Sequence, residues 1–249
     1  MRRKFAAVAA TSLALALLAG VTGCTRVRLQ DNPTTRTETL NKTVALDGAK
    51  HLSTEIGMGV GELTLSGAEA SGTAMTGKFV YAPASWLPEV AYTVVEGTGT
   101  LSVRQPDHTD VSPFGKVKNT WDVRIARDVP TDLRLRLGVG TSSVDLRGVD
   151  LTSLDAVSGV GETTIDLSGA RAHGFSGRID SGVGQLNLRL PRSVGVRVTG
   201  AKSGVGDFKV DGVAVGSDSW TNDAWNVAGP KIDIVLHRGV GEVAIVVVD

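Results

Sequence analysis

Two aspartates and an arginine raise the first chemical question. Asp145 and Asp166 each stand seven residues after the start of a Gly-Val-Gly triplet, and Arg189 does so one copy later. Carboxylates brought together this way can form an acid–base pair or hold calcium. On a flat outer strand with no cleft the same spacing gives only a ladder of carboxylates balanced by arginine, and that is the reading adopted. His51, His108, His173 and His237 are scattered, without metal-ligand spacing. No Gly-x-Ser-x-Gly elbow occurs. A phosphate loop needs a third glycine and a following helix, whereas Gly159-Val160-Gly161-Glu162-Thr163-Thr164 offers an acid instead. No catalytic residue, metal or cofactor is therefore expected, and the chain is not read as an enzyme.

Binding chemistry has one better candidate. Trp220, Asn222, Asp223, Trp225 and Asn226 combine indoles with short amides and a carboxylate in a polar stretch at 216–230. Indole faces can serve as a platform for a glycan or a protein. The same tryptophans can also fold back and cover the end of the molecule, and the sequence leaves both readings open.

The chain begins with Arg2, Arg3 and Lys4, then an uncharged apolar run at 6–21, then Val21-Thr22-Gly23-Cys24. That is the layout of a secretory signal, and its run is short for a membrane span of about 20 residues. The ending resembles the lipobox of bacterial lipoproteins. The resemblance implies acylation of Cys24, the single cysteine, and its exposure as the mature N-terminus. The expectation is an extracytoplasmic protein, lipid-anchored at the cell membrane or outer membrane. Removing 1–23 takes Arg2, Arg3 and Lys4 from 26 basic residues and nothing from 26 acidic ones, leaving a net charge of −3. With no basic excess, nucleic acid is not an expected partner. Attachment would rest on the acyl chains.

The elements that must position these residues come from a repeat. Glycine is abundant, 31 of 249 residues, and aromatics are only 4%, so the core must be aliphatic and the turns many. Gly-Val-Gly starts at 59, 138, 159, 182, 204 and 239. Three successive spacings near 22 mark a repeat architecture. Counted from the first glycine, offset +6 is apolar in every copy: Leu65, Val144, Ile165, Leu188, Val210 and Ile245. Offset −3 is apolar too, from Ile56 to Leu236, and offset +3 is mostly acidic. Alternation of this kind is the period of half-buried strands. Each unit is thus a strand, a turn, a returning strand and a glycine corner. Successive coils stack in parallel, and the corner valine points inward. Val183→Asp should then be severely destabilising.

The 79-residue gap between the first two copies predicts strands at 73–81, 89–95, 100–104 and 120–125. The fold class is all-β: a stacked two-strand-per-coil β-solenoid with an N-terminal β-meander insertion. Residues 1–23 form the signal and 24–45 a flexible tether. The β-solenoid domain spans 46–249, and its open coil ends could join copies into a homo-oligomer.

Gly57-Met58-Gly59-Val60-Gly61-Glu62-Leu63-Thr64-Leu65, the Lys78-Phe79-Val80-Tyr81 … Trp86 … Pro88-Glu89-Val90 segment and the Ser-Gly-Val-Gly units together resemble the toast-rack domain. That domain is related to adhesin-type β-solenoid domains of bacteria. The resemblance covers roughly 50–249. It implies an extracytoplasmic or membrane-tethered interaction module, in cell-envelope sensing or scaffolding, or an adhesin or cell-wall glycan binder. Its partner would be an envelope protein or a glycan, and no catalytic residue set comes with it.

Overall fold

Alternating apolar residues separated by glycine corners build strands that are long and bent. In a computed structural model the described residues are 36–69, 71–107, 117–200 and 204–249. Cys24, the signal and the first part of the tether lie outside them. Five strands carry a complete Gly-Val-Gly corner within one continuous run: β2 (His51–Gly67), β7 (Thr131–Asp145), β8 (Leu151–Asp166), β9 (Phe175–Pro191) and β14 (Lys231–Val248). They stack in parallel with corner on corner, Val60 beside Val139, Val139 beside Val160, Val160 beside Val183 and Val183 beside Val240.

The glycines allow this stacking. Gly140 has φ +142°, and a Cβ there would lie 1.8 Å from the carbonyl oxygen of Gly61 in the adjacent strand. No side chain fits between backbones stacked this closely.

Before the corner, alternate residues face the core: Leu52, Thr54, Ile56 and Met58 in β2. After it, Leu63 and Leu65 do so. The inward set shifts parity across the corner, and the corner valine does not belong to either half. Val60, Val139, Val160, Val183, Val205 and Val240 are 47–67% exposed. The inward orientation expected of the corner valine, which recurs in all six copies, is therefore corrected. The chain wraps the core at the bend, and the valine stands on its outer side.

The inserted strands occupy the expected positions: β3 (Thr73–Ala82), β4 (Glu89–Val95), β5 (Thr98–Arg104) and β6 (Lys118–Ile125). β4 pairs antiparallel with β5, and β3 with β6. β5 then lies parallel to the first arm of β2 and β6 parallel to its second arm. Together they make one more coil from two separate pieces. A strand β1 (Glu38–Ala45) pairs with β3. It occupies the last eight residues of the expected 24–45 tether, so the folded part begins before residue 46.

At the other end, β10 (Gly195–Thr199) and β11 (Phe208–Val210) flank the Gly204 corner and lie parallel to the two arms of β14. The last copy in sequence is thus inserted between β9 and β10, which corrects the expectation of stacking in chain order. Short strands β12 (Val213–Ala214) and β13 (Ser219–Thr221) close the two arms antiparallel. A single cluster of buried side chains runs from Val44 to Val247. Ser142 and Thr163, paired in adjacent strands, are buried polar residues.

Candidate functional site

Stacking identical corners lines up identical side chains. The six valines form a row, which at about 4.8 Å per strand is roughly 24 Å long. Glycines on either side leave bare backbone beside each valine. The neighbouring offset +3 row holds Glu62, Thr141, Glu162, Gln185 and Glu242 in register. An aliphatic ridge bordered by acids is the result.

At the β5–β6 end this ridge runs into a groove of about 800 Å³, walled by Met58, Val60, Trp86, Leu137 and Val157 with Arg104 and Arg136. Among the described residues the end coil has no Gly-Val-Gly corner beside this groove. Two side-chain amides stand where a Gly-Val-Gly backbone would. Gln105 Oε1 accepts from the N–H groups of Gly59 (2.9 Å) and Val60 (3.0 Å). Asn119 Nδ2 donates to the Val60 carbonyl (2.6 Å) and to Gln105 Oε1 (3.0 Å). Asn119 Oδ1 accepts from the Trp121 indole (2.7 Å). Trp86 is buried beside the groove, and its Nε1–H meets no acceptor among the described residues.

The charged side of the groove is internally paired. Arg136 grips Asp155 with two hydrogen bonds, 3.1 and 2.7 Å. Those bonds hold the Asp155 carboxyl below the usual carboxylate range. Arg104 lies 3.2 Å from Glu55. With each arginine facing a carboxylate, the groove presents its apolar wall more freely than its charge.

The aromatic loop is placed at the β10–β13 end. Trp220 lies in β13 opposite Val198 and packs against the core. Asn222 is spent on the backbone: its Oδ1 accepts from Val196 N–H (2.9 Å), and its Nδ2 donates to Val194 O (2.8 Å) and Pro191 O (3.2 Å). Asp223–Asn226 form a short 3-10 turn. Arg197 lies over the Trp225 ring, 4.7 Å from its centroid, and Lys231 5.6 Å away. Lys231 Nζ also ties the turn by donating to the Ala224 (3.1 Å) and Trp225 (2.6 Å) carbonyls. Asp223 and Asn226 remain exposed. The five residues are therefore brought together, with two of them anchoring the loop.

Asp145, Asp166 and Arg189 come into register as the spacing required. Asp145 is held by Arg147 (2.6 Å), whose hydrogen bonds lower its pKa. Asp166 is paired with Arg189 (3.0 Å) and is buried rather than solvated. His51 bonds Asp132 and His237 bonds Asp180, both at 2.8 Å. Among the described residues no three His, Cys, Asp or Glu side chains group as metal ligands. No helix among them is long and apolar enough to cross a membrane. Sequence reasoning missed the ridge and the groove. The parity shift between offsets −3 and +4 was the available signal that the corner resets which side faces in.

A family model and one solved structure agree with this architecture. A family model described as the N-terminal domain of toast_rack, DUF2154, matches residues 32–189. A crystal structure of a "putative cell adhesion protein" from Clostridium sporogenes ATCC 15579 is 30% identical, with TM-score 0.76. The match covers 86% of this chain and 100% of that one. A "putative adhesin" from Bacteroides fragilis NCTC 9343 is 16% identical with TM-score 0.36, covering 86% of this chain and 98% of that one. A curated protein, the 4-hydroxy-3-methylbut-2-en-1-yl diphosphate synthase (flavodoxin) of Acinetobacter baylyi (strain ATCC 33305 / BD413 / ADP1), is 27% identical over 163 residues. That alignment covers 60% of this chain, which spans only 43% of the enzyme's length.

Proposed function

Because this chain belongs to the toast-rack family, we propose that it is a lipid-anchored extracytoplasmic interaction module that binds a cell-envelope protein along the valine ridge and its groove. The observation that carries this reading is the ridge itself. Single exposed apolar residues are ordinary, but an aligned row continuing into an apolar groove is the kind of surface that marks an interaction site. Its aliphatic character suits a protein better than a sugar, since sugars are held by aromatic faces and directional polar groups. The acidic border favours a partner with a basic rim. Anchoring through Cys24 would hold the module at the membrane surface, in a sensing or scaffolding role. It rests on the signal-like start and the Val21-Thr22-Gly23-Cys24 ending.

The test is crosslinking on intact cells with the parent chain, Cys24→Ala, and Val139→Lys combined with Val160→Lys. Cys24→Ala should leave the membrane fraction or accumulate unprocessed. The double lysine variant should stay folded and anchored while losing the captured protein. Normal capture by a folded double variant would defeat the ridge, and normal processing and membrane retention of Cys24→Ala would defeat the anchor.

A second reading, an adhesin or cell-wall glycan binder, is favoured by the likeness to the Clostridium sporogenes protein. It would use exposed Asp223 and Asn226 beside Trp225, with Trp220 and Asn222 holding the loop. Glycan titration monitored by Trp fluorescence distinguishes it: saturable change lost in Trp225→Ala supports it, and no change across cell-wall glycans removes it.

A further inference from the structure

Among the described residues the stacked sheet ends in four edges, and they are not alike. β12 and β13 are two and three residues long. β1 carries Lys42 and a register break between Val44 and Ala45. Short length, lysine and irregularity are the usual ways to stop edges from pairing. β4, Glu89–Val95, has none of them. Among the described residues it pairs only with β5; it runs seven residues in unbroken register and carries no charge from Val90 to Val95.

The turn of the β4–β5 hairpin shows which backbone groups are free. Val95 faces Thr98 across the two-residue turn Glu96-Gly97, whose φ values are +50° and +78°. In such a hairpin the residues flanking the turn form a hydrogen-bonded pair, and pairing then alternates along the strand. Glu89, Ala91, Thr93 and Val95 therefore bond to β5. Val90, Tyr92 and Val94 point their N–H and C=O groups away from it. The side chains of these three lie toward the core side. Tyr92 Oη donates to the Leu46 carbonyl (2.8 Å), and Val90 and Tyr92 pack on the core. They are only partly covered, with no strand beyond them among the described residues.

We infer that β4 is a dimerisation edge, pairing antiparallel with β4 of a second copy about a two-fold axis at Tyr92. This register sets Tyr92 opposite Tyr92, Val90 opposite Val94 and Ala91 opposite Thr93. It is the alignment that uses all six free backbone groups, giving six hydrogen bonds. A shift of two residues toward the start of β4 places Pro88, which has no N–H, opposite Val94. A shift the other way brings in the turn. Antiparallel pairing also puts each Glu89 opposite Val95, whereas parallel pairing would stack glutamate on glutamate. The half-covered Val90, Tyr92 and Val94 become continuous between the two cores. The contact is isologous, as closed dimers require. An edge of seven residues falls short of the ~800 Å² per partner of standard interfaces, so association should be weak and rise with concentration.

The test uses the full chain with Cys24→Ser throughout, so that an added cysteine is the sole thiol and the lipid anchor plays no part. Opposed residues 91 and 93 form a non-hydrogen-bonded pair about 4.5 Å apart at Cα, within disulfide range. Residue 91 to its own copy is diagonal, about 7–8 Å. Mixing Ala91→Cys with Thr93→Cys under mild oxidation should give the mixed disulfide at least about tenfold over either homodimer, because Cα separations beyond ~7 Å are not bridged. Val94→Pro removes an outward N–H and leaves the β4–β5 ladder intact. It should melt like the parent while weakening association at least about tenfold, since a proline on an edge blocks pairing there. Equal yields of all three disulfides, a monomer at every concentration, or undiminished association of folded Val94→Pro would each overturn the inference. Association lost only with loss of fold is resolved by the cysteine pair, which leaves β4 unperturbed and must still show the mixed product.

Discussion

The coils of β7, β8 and β9 and the end coil of β5 and β6 solve the same problem in two ways. In the first, chain continuity turns the corner, and glycine lets backbones meet where Cβ atoms would collide, as at Gly140 against Gly61. In the second, β5 ends at Arg104 and β6 begins at Lys118, with Gln105 and Asn119 beside the two strand ends. Their amides supply the hydrogen bonds that a backbone corner would have made to Gly59 and Val60. A continuous corner is rigid but shows the outside only a valine. An assembled corner uses one buried amide, Asn119, and one half-buried amide, Gln105, and lies beside a groove. Regular repetition therefore builds the scaffold, and the place where repetition is interrupted becomes the distinctive surface.

Three substitutions can break or sharpen this contrast. Gly140→Ala should have the largest effect. It places a Cβ into the Gly61 carbonyl and forces a non-glycine residue to φ +142°. A loss of at least ~3 kcal/mol is expected, measured by denaturant unfolding. A mild effect would mean that the stacked backbones can move apart. Asn119→Leu should come next. It leaves the buried Trp121 indole N–H without its partner, at about 1–3 kcal/mol, and also frees the half-exposed Val60 carbonyl. The groove end should loosen first, seen as faster hydrogen exchange in β5 and β6 than in β8 and β9. Equal protection throughout would erase the distinction between the two corners. Val183→Asp should be smallest, within ~0.5 kcal/mol as for ordinary surface changes, because the corner valine is outside. A severe loss would restore the inward orientation expected of a valine present in all six copies.

Much of the scaffold was legible because its causes are local. Apolar residues at offsets −3 and +6 announced the strands, and Ile56, Leu65, Leu135 and Val144 are buried as that alternation requires. The shared +7 offset put Asp145, Asp166 and Arg189 in register before any contact was known. Strand positions in the insertion were legible from alternation and from the prolines between runs. The candidate site was less so. The aromatic loop could be located, but not that Asn222 would be spent on the backbone of 191–196 or that Arg197 and Lys231 would lie over Trp225. Those partners are brought in by the pairing of β10 with β13 and β14, which no local spacing encodes.

The period, the parallel stacking of like corners and the need for glycine in them follow from local order along the chain, because alternation and Cβ sterics act within a few residues. Three other matters depend on long-range packing. The valine's direction depends on how the bend wraps the core, not on parity. The last copy's place between β9 and β10 depends on competition among like edges, all of which share the same repeat. The groove depends on two amides 14 residues apart in sequence meeting at 3.0 Å, and on the β2 corner that neither of them belongs to. Repeats make local structure redundant, so the chain can specify each coil while leaving their order, and what gathers where a coil is incomplete, to the packing of the whole.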